Sequence, residues 1–148
     1  MHCLNCNNDD TKVIDSRVAA DGVAIRRRRE CPSCGFRFST YEEMEILDLT
    51  IIKRDGLKEL YSKEKLERGI KRAFEKRPMS DDDFRKLISQ IEQDIQKKAT
   101  ADEITTQEVG EIVMKKIKKF DKVAYVRFAS VYKQFEDIEE FKAELQKL

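Results

Sequence analysis

Four cysteines are the residues best suited to chemistry, and they stand in two pairs of equal spacing: Cys3-Leu4-Asn5-Cys6 and, 24 residues on, Cys31-Pro32-Ser33-Cys34. Two turns that each offer two thiolates can surround one Zn²⁺ tetrahedrally, at Zn–S distances of about 2.3 Å. Such a turn must reverse with positive φ just after its second ligand. Gly35 follows Cys34, and Asn7, of the next most tolerant type, follows Cys6. The spacing therefore predicts one structural Zn²⁺ per chain on Cys3, Cys6, Cys31 and Cys34. A redox dithiol is the competing reading, but no thioredoxin-like βαβ pattern surrounds either pair. His2 is adjacent, yet a complete set of four thiolates leaves it no coordination position. That closed set also leaves no place at which water could be activated, so any activity of this segment must lie on its surface.

The surface residues that stand out are arginines. Arg26-Arg27-Arg28-Arg29 runs directly into Glu30-Cys31, and between Lys12 and Tyr41 there are seven positive residues against three negative. Guanidinium groups make forked contacts to phosphates and to guanine edges. Arg17, Arg26, Arg27, Arg28, Arg29 and Arg37 are therefore expected to contact nucleic acid. On a strand Arg26 and Arg28 point one way and Arg27 and Arg29 the other. A charged edge that only guards against aggregation is the alternative. Phe36, Phe38 and Tyr41 are expected to form a small core rather than base-stacking platforms.

A second basic group surrounds the turn Lys53-Arg54-Asp55-Gly56, with ten positive and five negative residues from Lys53 to Arg77. A glycine-bearing turn flanked by Lys and Arg, close to a helix start, is a polyphosphate cradle in outline. Neither G-x-x-x-x-G-K-[ST] nor G-x-G-x-x-G is present, so taken alone this group also fits a solvated face.

The elements that must position these residues follow from periodicity. Alternation over Val13–Arg17, from Val23-Ala24-Ile25 into the arginines, and over Phe36–Tyr41 predicts three short strands, with a turn at Asp21-Gly22. After an acidic connector, Glu42 to Asp48, Leu49–Ile52 and Glu59–Tyr61 read as a hairpin signalled by Asp55-Gly56. Beyond Ser62 the period becomes 3.6. Ser62, Ser80, Thr105 with Glu108, and Asp121 read as N-caps of four helices. The fourth is expected to carry Ala124, Phe128, Val131 and Phe135 inward, and Ile138, Phe141 and Leu145 continue a terminal helix. The expected class is α+β. Its domains are a ribbon over residues 1–47, a small sheet capping a helical bundle over 48–138, and a helical extension over 139–148. A ribbon of that length buries too little to fold without its metal.

At this point the residues carry a resemblance. Asp15-Ser16-Arg17, Ile25-Arg26-Arg27-Arg28-Arg29-Glu30-Cys31 and Arg37-Phe38-Ser39-Thr40-Tyr41-Glu42 resemble the zinc ribbon of the NrdR family of bacterial ribonucleotide reductase repressors. Ile52-Lys53-Arg54-Asp55-Gly56, Glu64-Lys65-Leu66 and the stretch Ala124 to Tyr132 are similar to the ATP-cone. The match spans essentially the whole chain, with Leu4 where the family usually has Pro, a position that is not a ligand. The resemblance implies a zinc-dependent, non-enzymatic repressor that binds ATP and dATP, changes homo-oligomeric state with them, and occupies double-stranded operator DNA upstream of ribonucleotide reductase genes. It further implies that Lys53, Arg54 and Lys65 hold phosphates, while Ile52, Glu59, Leu66 and Tyr125 surround the base and sugar. The bundle core is an equally good place for Leu66 and Tyr125.

Composition sets the remaining bounds. With 148 residues and a formal net charge of +1 from 30 Lys+Arg and 29 Asp+Glu, the chain is neither a uniformly basic coat for nucleic acid nor an acidic tail. Its charges alternate in blocks, and Lys115-Lys116-Ile117-Lys118-Lys119 has no anion assigned to it, so an acidic helix of another subunit is the expected partner. No apolar run approaches the roughly 20 residues of a membrane span. Met1-His2-Cys3 opens no export signal, which leads to the expectation of a cytoplasmic protein, nucleoid-associated when on DNA. Two other functions compete: a zinc-ribbon RNA-binding or ribosome-associated factor, and a nucleotide hydrolase or kinase. The enzyme lacks a Walker turn and any acidic metal-binding cluster, and the one histidine is His2.

Overall fold

Three strands of seven residues, β1 (Lys12–Val18), β2 (Ala24–Glu30) and β3 (Arg37–Glu43), form an antiparallel sheet in the order β1-β2-β3. The computed structural model describes residues 1–19, 22, 24–43 and 48–148. Asp21 of the expected turn, Val23 and residues 44–47 of the acidic connector lie outside the described residues. Two compact units make up the chain, Met1–Glu45 and Ile46–Leu148.

In the first unit β2 is central, so the arginine run is flanked by a strand on each side. A bulge between Val13 and Asp15 shifts the β1 register. Among the described residues of this unit only Cys3, Thr11, Ala24 and Cys31 are buried. Phe36 and Tyr41 are exposed, and Phe36 stacks on half-buried Phe38 with ring centroids 6.0 Å apart. The aromatic core expected from the sequence is therefore absent. A three-stranded sheet of this size offers those rings little to bury against, and among the described residues of the unit burial concentrates at the cysteines, Thr11 and Ala24.

The second unit pairs a hairpin, β4 (Thr50–Ile52) with β5 (Lys58–Leu60), to a parallel third strand, β6 (Glu103–Thr105), in the order β5-β4-β6. Gly56 has φ 83° in the hairpin turn, and its N–H donates to the Lys53 carbonyl at 2.9 Å. Five helices follow: α1 (Lys63–Ala73), α2 (Asp81–Lys98), α3 (Thr106–Phe120), α4 (Lys122–Tyr132) and α5 (Ile138–Leu145). Ser62, Ser80, Thr105 and Asp121 cap the first four as their sequences predict, Thr105 and Glu108 in a reciprocal capping box. Ile70, Leu87, Ile88, Ile91, Ile95, Ile104, Val113 and Ile117 are the innermost side chains. The α+β class expected from the sequence is the class observed.

Two local expectations need correction. Helix α4 ends at Tyr132 rather than continuing to Phe135, because Gln134 adopts φ 48°, the left-handed conformation that terminates a helix. Its buried stripe is Ala124, Tyr125 and Ala129, which leaves Val131 exposed. Strand β6 carries no sequence signal: the turn leading into it places Ala101 and Asp102 at φ 50° and 58°, without the glycine that usually announces such a turn.

Candidate functional site

The two cysteine turns have the same backbone geometry. In the first, Cys3 N–H donates to the Asn8 carbonyl and Asn7 N–H to the Cys3 carbonyl, both at 2.9 Å; in the second, Cys31 and Gly35 repeat the pattern with Phe36 and Cys31 at 2.9 and 3.0 Å. Asn7 and Gly35 take φ values of 57° and 70°. All four sulfurs lie within 4.8 Å of one another. Cys3 Sγ is 3.6 Å from Cys34 Sγ, as Cys6 Sγ is from Cys31 Sγ. Tetrahedral ligands about 2.3 Å from a metal stand about 3.8 Å apart, so the set fits one ion of zinc's size and preference. The Phe36 backbone N–H and the Asn5 side-chain amide draw the Cys34 thiol down to about 6, while against the lowering effect of the Asn8 backbone the neighbouring sulfurs, Cys34 first, push Cys6 up.

Residues directly opposite on neighbouring strands share a sheet face. Arg17, Arg26 and Tyr41 form one such row, Asp15, Arg28 and Ser39 the next, and Lys12, Glu30 and Arg37 a third. This face exposes Arg17, Arg26, Arg28 and Arg37. Arg17 pairs with Asp15 at 2.9 Å, Arg37 with Glu30 at 2.6 Å, and Arg26 donates to Ser39 Oγ at 3.2 Å. The other face holds Arg27 and Arg29 half-buried beside Thr40 and Phe38. There Arg27 pairs with Glu42 at 2.7 Å and Arg29 reaches the Thr11 carbonyl at 3.4 Å. The six arginines singled out in the sequence thus divide four to two. Alternation along the strand separates them, and only the cross-strand register shows which pair joins Arg17 and Arg37.

In the second unit a cavity of about 920 Å³ opens beside the hairpin turn. Lys53, Arg54 and Glu59 line it, together with Arg72 and Lys76, which the sequence places in the basic group without a role, and Arg127, which it carries only within the stretch Ala124 to Tyr132. Both Lys53 and Lys65 contact Glu59 Oε2, at 2.9 and 3.0 Å. Those two contacts hold the Glu59 carboxyl below its usual range. Arg54 donates to the Tyr132 carbonyl at 3.2 Å and to Gln134 Oε1 at 3.4 Å, and its guanidinium lies over the Tyr132 ring, 5.7 Å from the centroid. Arg127 donates to the Glu75 carbonyl at 2.6 Å, capping the end of α1.

Lys65 reaches the cavity wall only through Glu59, and the remaining expected residues stand off it. Ile52 ends β4, its carbonyl accepting from Thr106 Oγ1 at 3.3 Å, and Leu66 packs against the core. Tyr125 is buried, with its hydroxyl on Glu144 of α5. Burial first, and then Glu144, push that hydroxyl up to about 12. The basic block on α3 is engaged within the chain: Lys116 pairs with Asp94 of α2 at 2.9 Å, and Lys118 donates to the Lys147 carbonyl at 2.6 Å. Another subunit is not needed to account for those two lysines.

A four-cysteine ribbon with one arginine-rich face is thus followed by a second unit whose cavity gathers Lys and Arg, two binding modules in one chain. Comparison with known sequences agrees. Residues 1–42 match the family described as transcriptional repressor NrdR-like, N-terminal domain, and residues 49–138 match the ATP cone domain. The chain is 47% identical to the transcriptional repressor NrdR of Carboxydothermus hydrogenoformans, across the whole of this chain and 96% of that protein. It is 51% identical to that of Caldanaerobacter subterraneus subsp. tengcongensis (100% and 93%) and 47% to that of Fervidobacterium nodosum (95% and 92%). The chain belongs to the NrdR family of transcriptional repressors, regulators and not enzymes.

Proposed function

We propose that this protein is a zinc-dependent repressor of ribonucleotide reductase genes whose hold on operator DNA is set by ATP and dATP. Zn²⁺ on Cys3, Cys6, Cys31 and Cys34 folds the ribbon, and Arg17, Arg26, Arg28 and Arg37 meet the duplex from one face. Arg27 and Arg29 brace that face from behind and shape its local potential. In the cone, Lys53, Arg54 and Lys65 receive the phosphates, with Arg72 and Lys76 adding positive charge to the wall. Ile52, Glu59, Leu66 and Tyr125 belong to the surroundings of the nucleoside, the last two through the packing beneath it. Because ATP and dATP differ by a single hydroxyl, the signal is amplified through a change of homo-oligomeric state. The repressor works in the cytoplasm and joins the nucleoid when bound to DNA.

The observation that carries this reading is the division of the arginines, which leaves four of them exposed on one sheet face. Mass measurement by size-exclusion chromatography tests it on the zinc-loaded protein with ATP, with dATP and with both, each repeated with operator duplex. Assembly that depends on the nucleotide load, and duplex binding in one state alone, are expected. A single mass under every load, or preference for RNA hairpins over duplex at equal salt, overturns it in favour of an RNA-binding ribbon.

A further inference from the structure

One carboxylate oxygen held between two ammonium groups makes the charge-assisted contacts that a non-bridging phosphate oxygen can make with two lysines. Glu59 Oε2 stands in that position, 2.9 Å from Lys53 Nζ and 3.0 Å from Lys65 Nζ, on the wall of the cavity. Three separate elements bring these groups together. Lys53 follows β4 at the hairpin turn, Glu59 is the middle residue of β5, and Lys65 is the third residue of α1, its N–H held by the Ser62 cap at 3.3 Å. The other engaged cations of the wall, Arg54 and Arg127, donate to carbonyl oxygens and so keep their full charge. Among the described residues Lys53 is the wall cation paired with a carboxylate, and Lys65 is held by the same oxygen.

From this geometry we infer that Glu59 is an internal stand-in for a phosphate oxygen. It keeps Lys53 and Lys65 converged on one point, and it must swing away when a polyphosphate takes that point. The inference rests on the cavity being the nucleotide site and assigns Glu59 a part different from contact with base or sugar. Its consequence is competition. The incoming polyphosphate carries several negative charges, is repelled by the carboxylate, and has to break both ion pairs before its own form. Glu59 therefore sets a threshold for occupancy that depends on phosphate charge and not on the nucleoside.

Inorganic tripolyphosphate is the probe that separates the two roles, because it has neither base nor sugar. Calorimetric titration of the zinc-loaded full chain with tripolyphosphate, and separately with ATP, is carried out on the wild type, Glu59→Gln and Glu59→Asp. Glu59→Gln is expected to bind tripolyphosphate about threefold to tenfold more tightly than the wild type, in keeping with the modest worth of two exposed ion pairs. Glu59→Asp, which keeps the charge, stays close to the wild type. Unchanged or weaker tripolyphosphate binding by Glu59→Gln, with helix content intact by circular dichroism, overturns the inference. If ATP binding falls at the same time, Glu59 is a nucleoside contact. If the wild type binds neither ATP nor tripolyphosphate, the nucleotide reading of the cavity fails and the stand-in role fails with it.

Discussion

The ring of Tyr132 occupies the space where a side chain on Gly110 would stand. A Cβ at position 110 would overlap the ring carbons and the hydroxyl of Tyr132. Helix α3 thus carries a glycine at a buried interior position, where helix propensity alone would favour alanine by about 1 kcal/mol. The slot lets the Tyr132 hydroxyl donate to the Gln107 carbonyl at 2.8 Å and sets the ring face beneath Arg54. One glycine in α3 thereby positions a cation of the cavity contributed by the β4–β5 turn.

Gly110→Ala is therefore expected to destabilise the protein by roughly 2 kcal/mol despite its better propensity, since the ring must leave its slot. Urea denaturation measures the loss. Gly110→Ala combined with Tyr132→Ala should recover part of it, a coupling that marks the slot and not the helix as the cause.

Glu144 is the buried carboxylate that fastens α5. Burial raises its pKa, but Lys133 at 2.8 Å, the Tyr125 hydroxyl and Lys147 at 3.0 Å outweigh this and hold it down at about 2. A depressed carboxyl stabilises the fold above its unfolded pKa and loses that contribution as pH falls. The docking of α5 should then weaken between about pH 4.5 and pH 2. Glu144→Gln should cost on the order of 2–3 kcal/mol at pH 7 and flatten the acid dependence. Amide hydrogen exchange over residues 138–145 gives a readout local to α5, separate from acid loss of metal at the cysteines. Equal exchange in wild type and variant at pH 7 would contradict it.

Removal of the metal should divide the two units. The hydrophobic cluster lies wholly in the second unit, while the described residues of the first bury two cysteines, Thr11 and Ala24. Chelation is expected to abolish hydrogen-exchange protection over residues 12–43 and to leave α2 and α3 protected. That matches a binding free energy on the order of 10 kcal/mol or more acting on a sheet with almost no core.

The ribbon faces make a prediction about salt. Arg26→Ala and Arg28→Ala should each weaken duplex binding and lower the slope of log affinity against log salt by about 0.9 for each phosphate no longer neutralised. Arg27→Ala should alter that slope less, because Arg27 is turned to the other face and paired with Glu42. Equal slopes for Arg27→Ala and Arg28→Ala would mean that duplex binding does not follow the division of faces. Binding assays at several salt concentrations distinguish the cases.

What was legible in the sequence was short in range. Both cysteine turns with their positive-φ residues, the Gly56 hairpin and the four helix caps depend on residues within about five positions of one another, so composition and spacing are sufficient to specify them. The family resemblance was legible for the same reason, being carried by contiguous motifs at both ends of the chain.

Tertiary structure decided whatever depends on distant partners. The parallel pairing of β6 with β4 joins segments some fifty residues apart, and no local signal marks it. The cavity wall assembles Arg72, Lys76, Arg127 and Tyr132 from α1, the turn after it and α4, residues to which a reading centred on the Lys53–Gly56 turn gives no role. Tyr125 shows the limit most clearly. A motif names it and helix periodicity allows it to face either way, but a carboxylate 19 residues on determines that its hydroxyl is buried against α5. Backbone preferences act locally, whereas burial and charge pairing are satisfied only by neighbours that folding brings together, and the choice of face and partner belongs to them.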